Sequence, residues 1–67
     1  MNTQKVTEYR KQRQICKDNL QTITEDLKKL LDTVPIELID WYSIIELINT
    51  ETVLIDKIDY LIALEYS

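Results

Sequence analysis

Asp32-Thr33-Val34-Pro35 divides the chain in two. It contains the one proline of 67 residues, and glycine is absent, so no other position interrupts the backbone as strongly. Proline disfavours a helical residue before it yet suits the first turn of a new helix, which predicts one helix ending near Asp32 and another starting at Val34 or Pro35. A connection this short makes the two helices antiparallel neighbours. The expected fold is all-α, an antiparallel helical hairpin in a single domain: helix 3–32, turn 32–35, helix 35–65.

Upstream of the turn, steps of three and four pass through Val6, Tyr9, Arg13, Cys16, Leu20, Ile23, Leu27, Leu30 and Val34. That is an unbroken heptad seam with one charged member, the pattern of a helix packed along one face. Asn2 or Thr3 can cap its start. Downstream, residues 34–66 hold most of the apolar residues of the chain and a single basic one, Lys57. With the turn centred on Val34, the first seam should face Leu38, Trp41, Ile45, Ile48, Thr52, Ile55, Asp59 and Ile62, itself a three-four row. This register sets Arg13 near Asp56 and Asp59, and Cys16 against Thr52. Asn49-Thr50-Glu51-Thr52 is the soft point of the second arm, where Asn49 or Thr50 could cap a fresh helix, so a kink or break near 49–52 is the alternative to one continuous helix.

Once that row is packed, Ile44, Leu47, Leu54, Ile58 and Leu61 remain, with Trp41 and Tyr42 near the turn. One helix cannot cover both rows. A strip of this extent marks self-association or a partner interface, and two hairpins burying each other's strips would make a homodimeric four-helix bundle. The size of the chain points the same way. About 67 ordered residues make a marginal core, and neither a disulfide nor a histidine-bound metal supplements it, because Cys16 is the lone cysteine and histidine is absent.

Charge is uneven. Residues 1–17 carry Lys5, Arg10, Lys11, Arg13 and Lys17 against Glu8, whereas the whole chain has a net charge of −4 and a pI near 4.6. Glu37, Asp40 and Glu46 form an acidic surface suited to a basic patch on a partner protein, such as one that handles nucleic acid. Arg10, Arg13 and Lys17 share a helix face and are the alternative, a phosphate footprint in a hairpin dimer. The layout resembles that of plasmid RNA-binding hairpin dimers, although the acidic balance argues against direct nucleic-acid binding.

Catalytic chemistry has few candidates. The ordinary triads and imidazole metal sites need histidine, and phosphate-cradling loops need glycine. Asp56 and Asp59, at i and i+3, could share a cation with carboxylates of a second subunit but lack the histidines of di-iron bundles, so no metal or other cofactor is expected. Ile55-Asp56-Lys57-Ile58-Asp59 resembles in part the Ser-Gln-x-Leu-Asp signature of the Spo0E-like aspartyl-phosphate phosphatases, small helical hairpins that act on response regulators. Asp59 and the apolar Ile58 correspond, while the Ser and Gln are absent. That resemblance implies a phosphatase-like accessory role through Asp59 as a further alternative.

The unpaired cysteine fits a reducing, cytoplasmic setting. Charged residues break every apolar run well short of the roughly 18 residues a membrane span needs. Ten isoleucines with no glycine and one alanine are the usage of an AT-rich genome, which fits low-GC bacteria, their phages and plasmids. The expected function is that of a small non-catalytic protein of phage or plasmid type, acting stoichiometrically as a regulator or inhibitor of a host protein.

Overall fold

The computed structural model describes residues 2–67 as helix α1 (Thr3–Thr33), a short 3-10 turn (Ile36–Leu38) and helix α2 (Trp41–Tyr66), with the two long helices packed side by side. No strand occurs among the described residues. Asn2 opens α1, its side chain accepting from the Lys5 amide at 3.1 Å. The far end of α1 closes without the left-handed residue that glycine usually supplies. Instead Val34 turns extended (φ −123°, ψ 134°) while its amide still donates to Leu30 O at 2.8 Å.

The reversal is longer than expected. Pro35 precedes the 3-10 turn rather than opening α2, and its carbonyl accepts from the Leu38 amide at 2.9 Å. Ile39 then runs extended and is buried beneath the turn. Helix α2 begins at Trp41, six residues after the expected start at Pro35, because Asp40 supplies the cap: it accepts from the Ser43 amide at 3.2 Å and from the Ser43 hydroxyl at 2.7 Å. Trp41 ties the reversal together, its indole N–H donating to Ile36 O at 3.2 Å.

No break occurs at 49–52; α2 passes through as one helix. The hydroxyls of Thr50 and Thr52 donate back to Glu46 O and Ile48 O at 2.9 and 2.8 Å, so these residues satisfy their polar groups inside the helix instead of capping a new one.

The first seam is the one its spacing predicts. Val6 and Cys16 are buried, and Tyr9, Arg13, Leu20, Ile23, Leu27 and Val34 are half-buried between exposed neighbours; Leu30 lies at the edge. The facing row of α2 is rotated by about a fifth of a turn from the expected one. It runs Ile44, Ile48, Glu51, Ile55, Ile58, Ile62 and Glu65, all half-buried, whereas Leu38, Trp41, Ile45, Thr52 and Asp59 are exposed. The rotation brings Ile44 and Ile58 inside in place of Ile45 and Asp59, which leaves the Asp59 carboxylate in reach of water. Cys16 accordingly meets Glu51 and not Thr52. The axial register is close to the expected one, as Asn2–Glu65, Arg13–Asp59 and Asn19–Glu51 contacts show.

The resulting core is thin. Among the described residues Val6, Cys16 and Ile39 are the buried apolar ones, and no large side chain is wholly shielded. The hairpin measures 50 × 16 × 11 Å.

Candidate interaction surface

The two helices differ in how far around their circumference apolar residues extend. On α1 the apolar side chains stay in the seam, apart from Ile15 and Leu31. On α2 they ring the helix, and because α1 covers one sector, large apolar side chains are left in water on every other side.

On one flank of the packed row lie Leu47 (55 % exposed), Leu54 (41 %) and Leu61 (38 %), spaced by sevens. Ile44 and Ile58, expected in the same outer strip, are half-buried against α1 instead. A groove of about 200 Å³ lies between the arms near the turn, lined by Ile23, Asp26, Leu27, Leu30, Ile44 and Leu47, and it joins this flank to α1.

The outer face of α2 carries a shallow trough of about 500 Å³ between Tyr42, Ile45, Glu46, Asn49, Thr50, Val53, Leu54 and Lys57. Tyr42 is 79 % exposed at its turn-proximal end, while Trp41 is more covered at 37 % and is held by its bond to Ile36 O. Trp41 braces the turn, whereas Tyr42 stands free of the core.

The acidic residues divide in the same way. Glu46 borders the trough and Glu37 lies exposed on the 3-10 turn. Asp40 has both carboxylate oxygens engaged by Ser43, whose hydroxyl and amide hold its carboxyl below the usual range and keep it charged. Its capping role was legible in the Asp40-Trp41-Tyr42-Ser43 spacing, three residues from cap to recipient amide.

Two of the three basic candidates are already engaged. Arg13 Nη1 donates to Asp59 Oδ1 at 2.7 Å, and Arg10 Nη2 donates to the Tyr66 hydroxyl at 2.9 Å, so both reach across to α2. Lys17 has no such bond among the described residues. Asp59 is engaged by that ion pair, and no group of three or more His, Cys, Asp or Glu side chains able to hold a metal occurs among the described residues. No helix among them is long and apolar enough to cross a membrane.

One polar cluster escaped the sequence reading. Glu51 points into the hairpin at mid-length, where its Oε1 accepts from Asn19 Nδ2 at 3.3 Å and its Oε2 is shielded from water with no N–H or O–H donor, only the weak Cys16 thiol lying beside the carboxylate. Cys16 lies beside it; burial first, then the hydrogen bond its thiol gives the Glu51 carboxylate and that group's charge, push the thiol above the ordinary value. A reactive cysteine needs the opposite environment, so Cys16 is a packing residue. No family model matches the chain, and the searches of curated proteins and of solved structures also returned no match.

Proposed function

We propose that the chain is a non-catalytic, stoichiometric regulator or inhibitor that docks on another protein, and that it does so as a homodimeric four-helix bundle. The observation that carries this reading is the ring of apolar side chains on α2, of which α1 covers a single sector. Soluble monomers rarely leave so continuous an apolar surface in water, and an interface is its ordinary cause. One uncovered sector suits self-association; the trough bordered by Tyr42, Glu46 and Lys57 suits a partner, with Glu37 and Glu46 favouring a basic one. The lone reduced cysteine supports a cytoplasmic setting, that of the host cell for a phage-encoded chain.

Nucleic-acid binding through Arg10, Arg13 and Lys17 has less support, since two of the three side chains already bond to α2. A phosphatase-like role for Asp59 meets the same objection.

The test is capture at defined stoichiometry. The immobilised full chain should retain a protein at a fixed ratio per hairpin, and Glu46→Lys and Val53→Asp should each release it while helicity stays unchanged. Retention that survives both variants, or an effect that persists at a small fraction of the target's concentration, would remove the reading.

A further inference from the structure

The hairpin leaves more surface in water than its mass predicts. A folded monomer of 8.0 kDa should expose about 4,450 Å², and this chain exposes 5299 Å². The surplus, about 850 Å², matches the roughly 800 Å² that each partner gives to a stable protein interface. Its shape agrees: the radius of gyration is 15.7 Å, against about 11 Å for a compact domain of this length. The molecule has one layer of helices where a domain normally has two.

Three sectors of α2 face water, and the residues on them choose between the candidates. At about 100° per residue, one flank of the packed row carries Ile45, Thr52, Asp59 and Tyr66, where Asp59 and Tyr66 already bond to α1. The outer face mixes Tyr42, Val53 and Tyr60 with Glu46, Asp56 and Lys57. The remaining flank carries Leu47, Leu54 and Leu61 and has no charged member, which is the seam of an apolar helix pair. The Asn19–Glu51 bond and the groove shared by Asp26 and Leu47 place the α1 row Lys5, Gln12, Asn19, Asp26 beside that same flank.

These two rows are self-complementary about one point. Leu54 is midway between Leu47 and Leu61. By the Arg13–Asp59 and Asn19–Glu51 contacts it lies level with the stretch around Cys16, which is midway between Lys5 and Asp26. Deepening the homodimer reading on which it rests, we propose that a second copy of the chain packs antiparallel on this face. Leu54 meets Leu54 at the two-fold axis, Leu47 meets Leu61, and Lys5 of one copy lies opposite Asp26 of the other. A two-fold axis running along the helices would instead lay α1 of one copy on α2 of the other, so that neither the leucine row nor the Lys5–Asp26 pairs would meet.

Light scattering behind size exclusion, on the full chain over a dilution series, gives the first half of the test. Wild type should be a dimer; Leu54→Lys should weaken it by about 100-fold or more, because each substitution enters a two-fold interface twice, while Tyr60→Lys on the outer face should change it by less than about threefold. The second half keeps Leu54 in place and reads distances between spin labels on Ser43→Cys or Thr50→Cys, each in a Cys16→Ala background. Antiparallel packing about Leu54 offsets the two Ser43 labels by about 33 Å along the axis and the two Thr50 labels by about 12 Å. A wild type that stays monomeric throughout would overturn this proposal and the homodimer together. A dimer that survives Leu54→Lys and dissociates with Tyr60→Lys would overturn the face and leave the homodimer standing. Labels equally close at both positions would overturn the antiparallel order, whether or not Leu54→Lys folds.

Discussion

Replacing Glu51 by leucine should make the protein more stable. Glu51 occupies a half-buried position in the row that α2 turns toward α1, between Ile48 and Ile55. Its Oε2 is shielded with no N–H or O–H donor, the weak Cys16 thiol being the polar group beside it, and its Oε1 has one long bond, 3.3 Å, from Asn19. An orphaned polar atom of this kind costs about 1–3 kcal/mol, and a leucine half-buried in its place gains about 1 kcal/mol. Against this stands the Asn19 bond, worth about 0.5 kcal/mol. The net expectation for Glu51→Leu is a stabilisation of about 1.5–3.5 kcal/mol, which for a domain of this size raises Tm by about 6–28 °C. Thermal unfolding followed by circular dichroism at matched chain concentration reads it, the matching being needed because association also raises Tm. The same variant should lower the Cys16 thiol toward its ordinary value without reaching it, since burial, the larger cause, persists. Glu51→Leu and Glu51→Gln proteins that both melt below wild type would show that the carboxylate is held by favourable contacts, and the reasoning would fail.

Other outcomes follow from individual contacts. Asp40→Asn should flatten the acid limb of the stability curve. The Ser43 bonds depress the Asp40 carboxyl in the folded state, so its contribution is complete above the unfolded value of about 3.9 and is lost as pH falls through the lower folded value; denaturation midpoints unchanged in their pH slope would contradict this. Native Cys16 should react with a thiol reagent at pH 7 far more slowly than the unfolded chain, because the thiol is buried and its ionisation is suppressed; equal rates in native buffer and in denaturant would be inconsistent with the packing. For Arg13 and Asp59, a double-mutant cycle should yield a coupling of no more than about 1 kcal/mol that shrinks with added salt, as the side chains are 30 % and 50 % exposed. A larger, salt-insensitive coupling would mean that this end of the hairpin is better shielded than its exposure indicates.

Much of α1 can be read from its spacing, because polar residues fill its outer face and leave one possible seam. The rotational setting of α2 cannot. With apolar residues on nearly all sides, several rows of that helix satisfy a three-four pattern equally well, and what separates them is where the turn releases the chain. That release depends on Asp40 capping Ser43, a local choice that competes with Pro35 as a helix start and wins by two hydrogen bonds. The Arg13–Asp59 pair was visible because charge segregation and the turn together fix the axial register, which survives a rotation of α2. Glu51 was not visible, since no periodic rule places a carboxylate in an apolar row. For the interaction surface, the residue types were legible and their division was not: the same rotation moves Ile44 and Ile58 inside while keeping Leu47, Leu54 and Leu61 outside.

The order of the two arms along the chain matters before the protein is complete. During synthesis α1 is made first, and with one apolar seam and a polar back it can wait in water as a nascent helix. Helix α2, which carries large apolar side chains on most of its sides, follows it. Because the arms are antiparallel, the first turns of α2 to emerge are those that pack on the most recently made turns of α1. Residues are added at about 5–20 per second and helical turns form in about a microsecond, so each new turn of α2 has time to dock before the next arrives. The hairpin can close like a zip from Ile39 outward, and its sticky arm is matched to cover as fast as it is exposed.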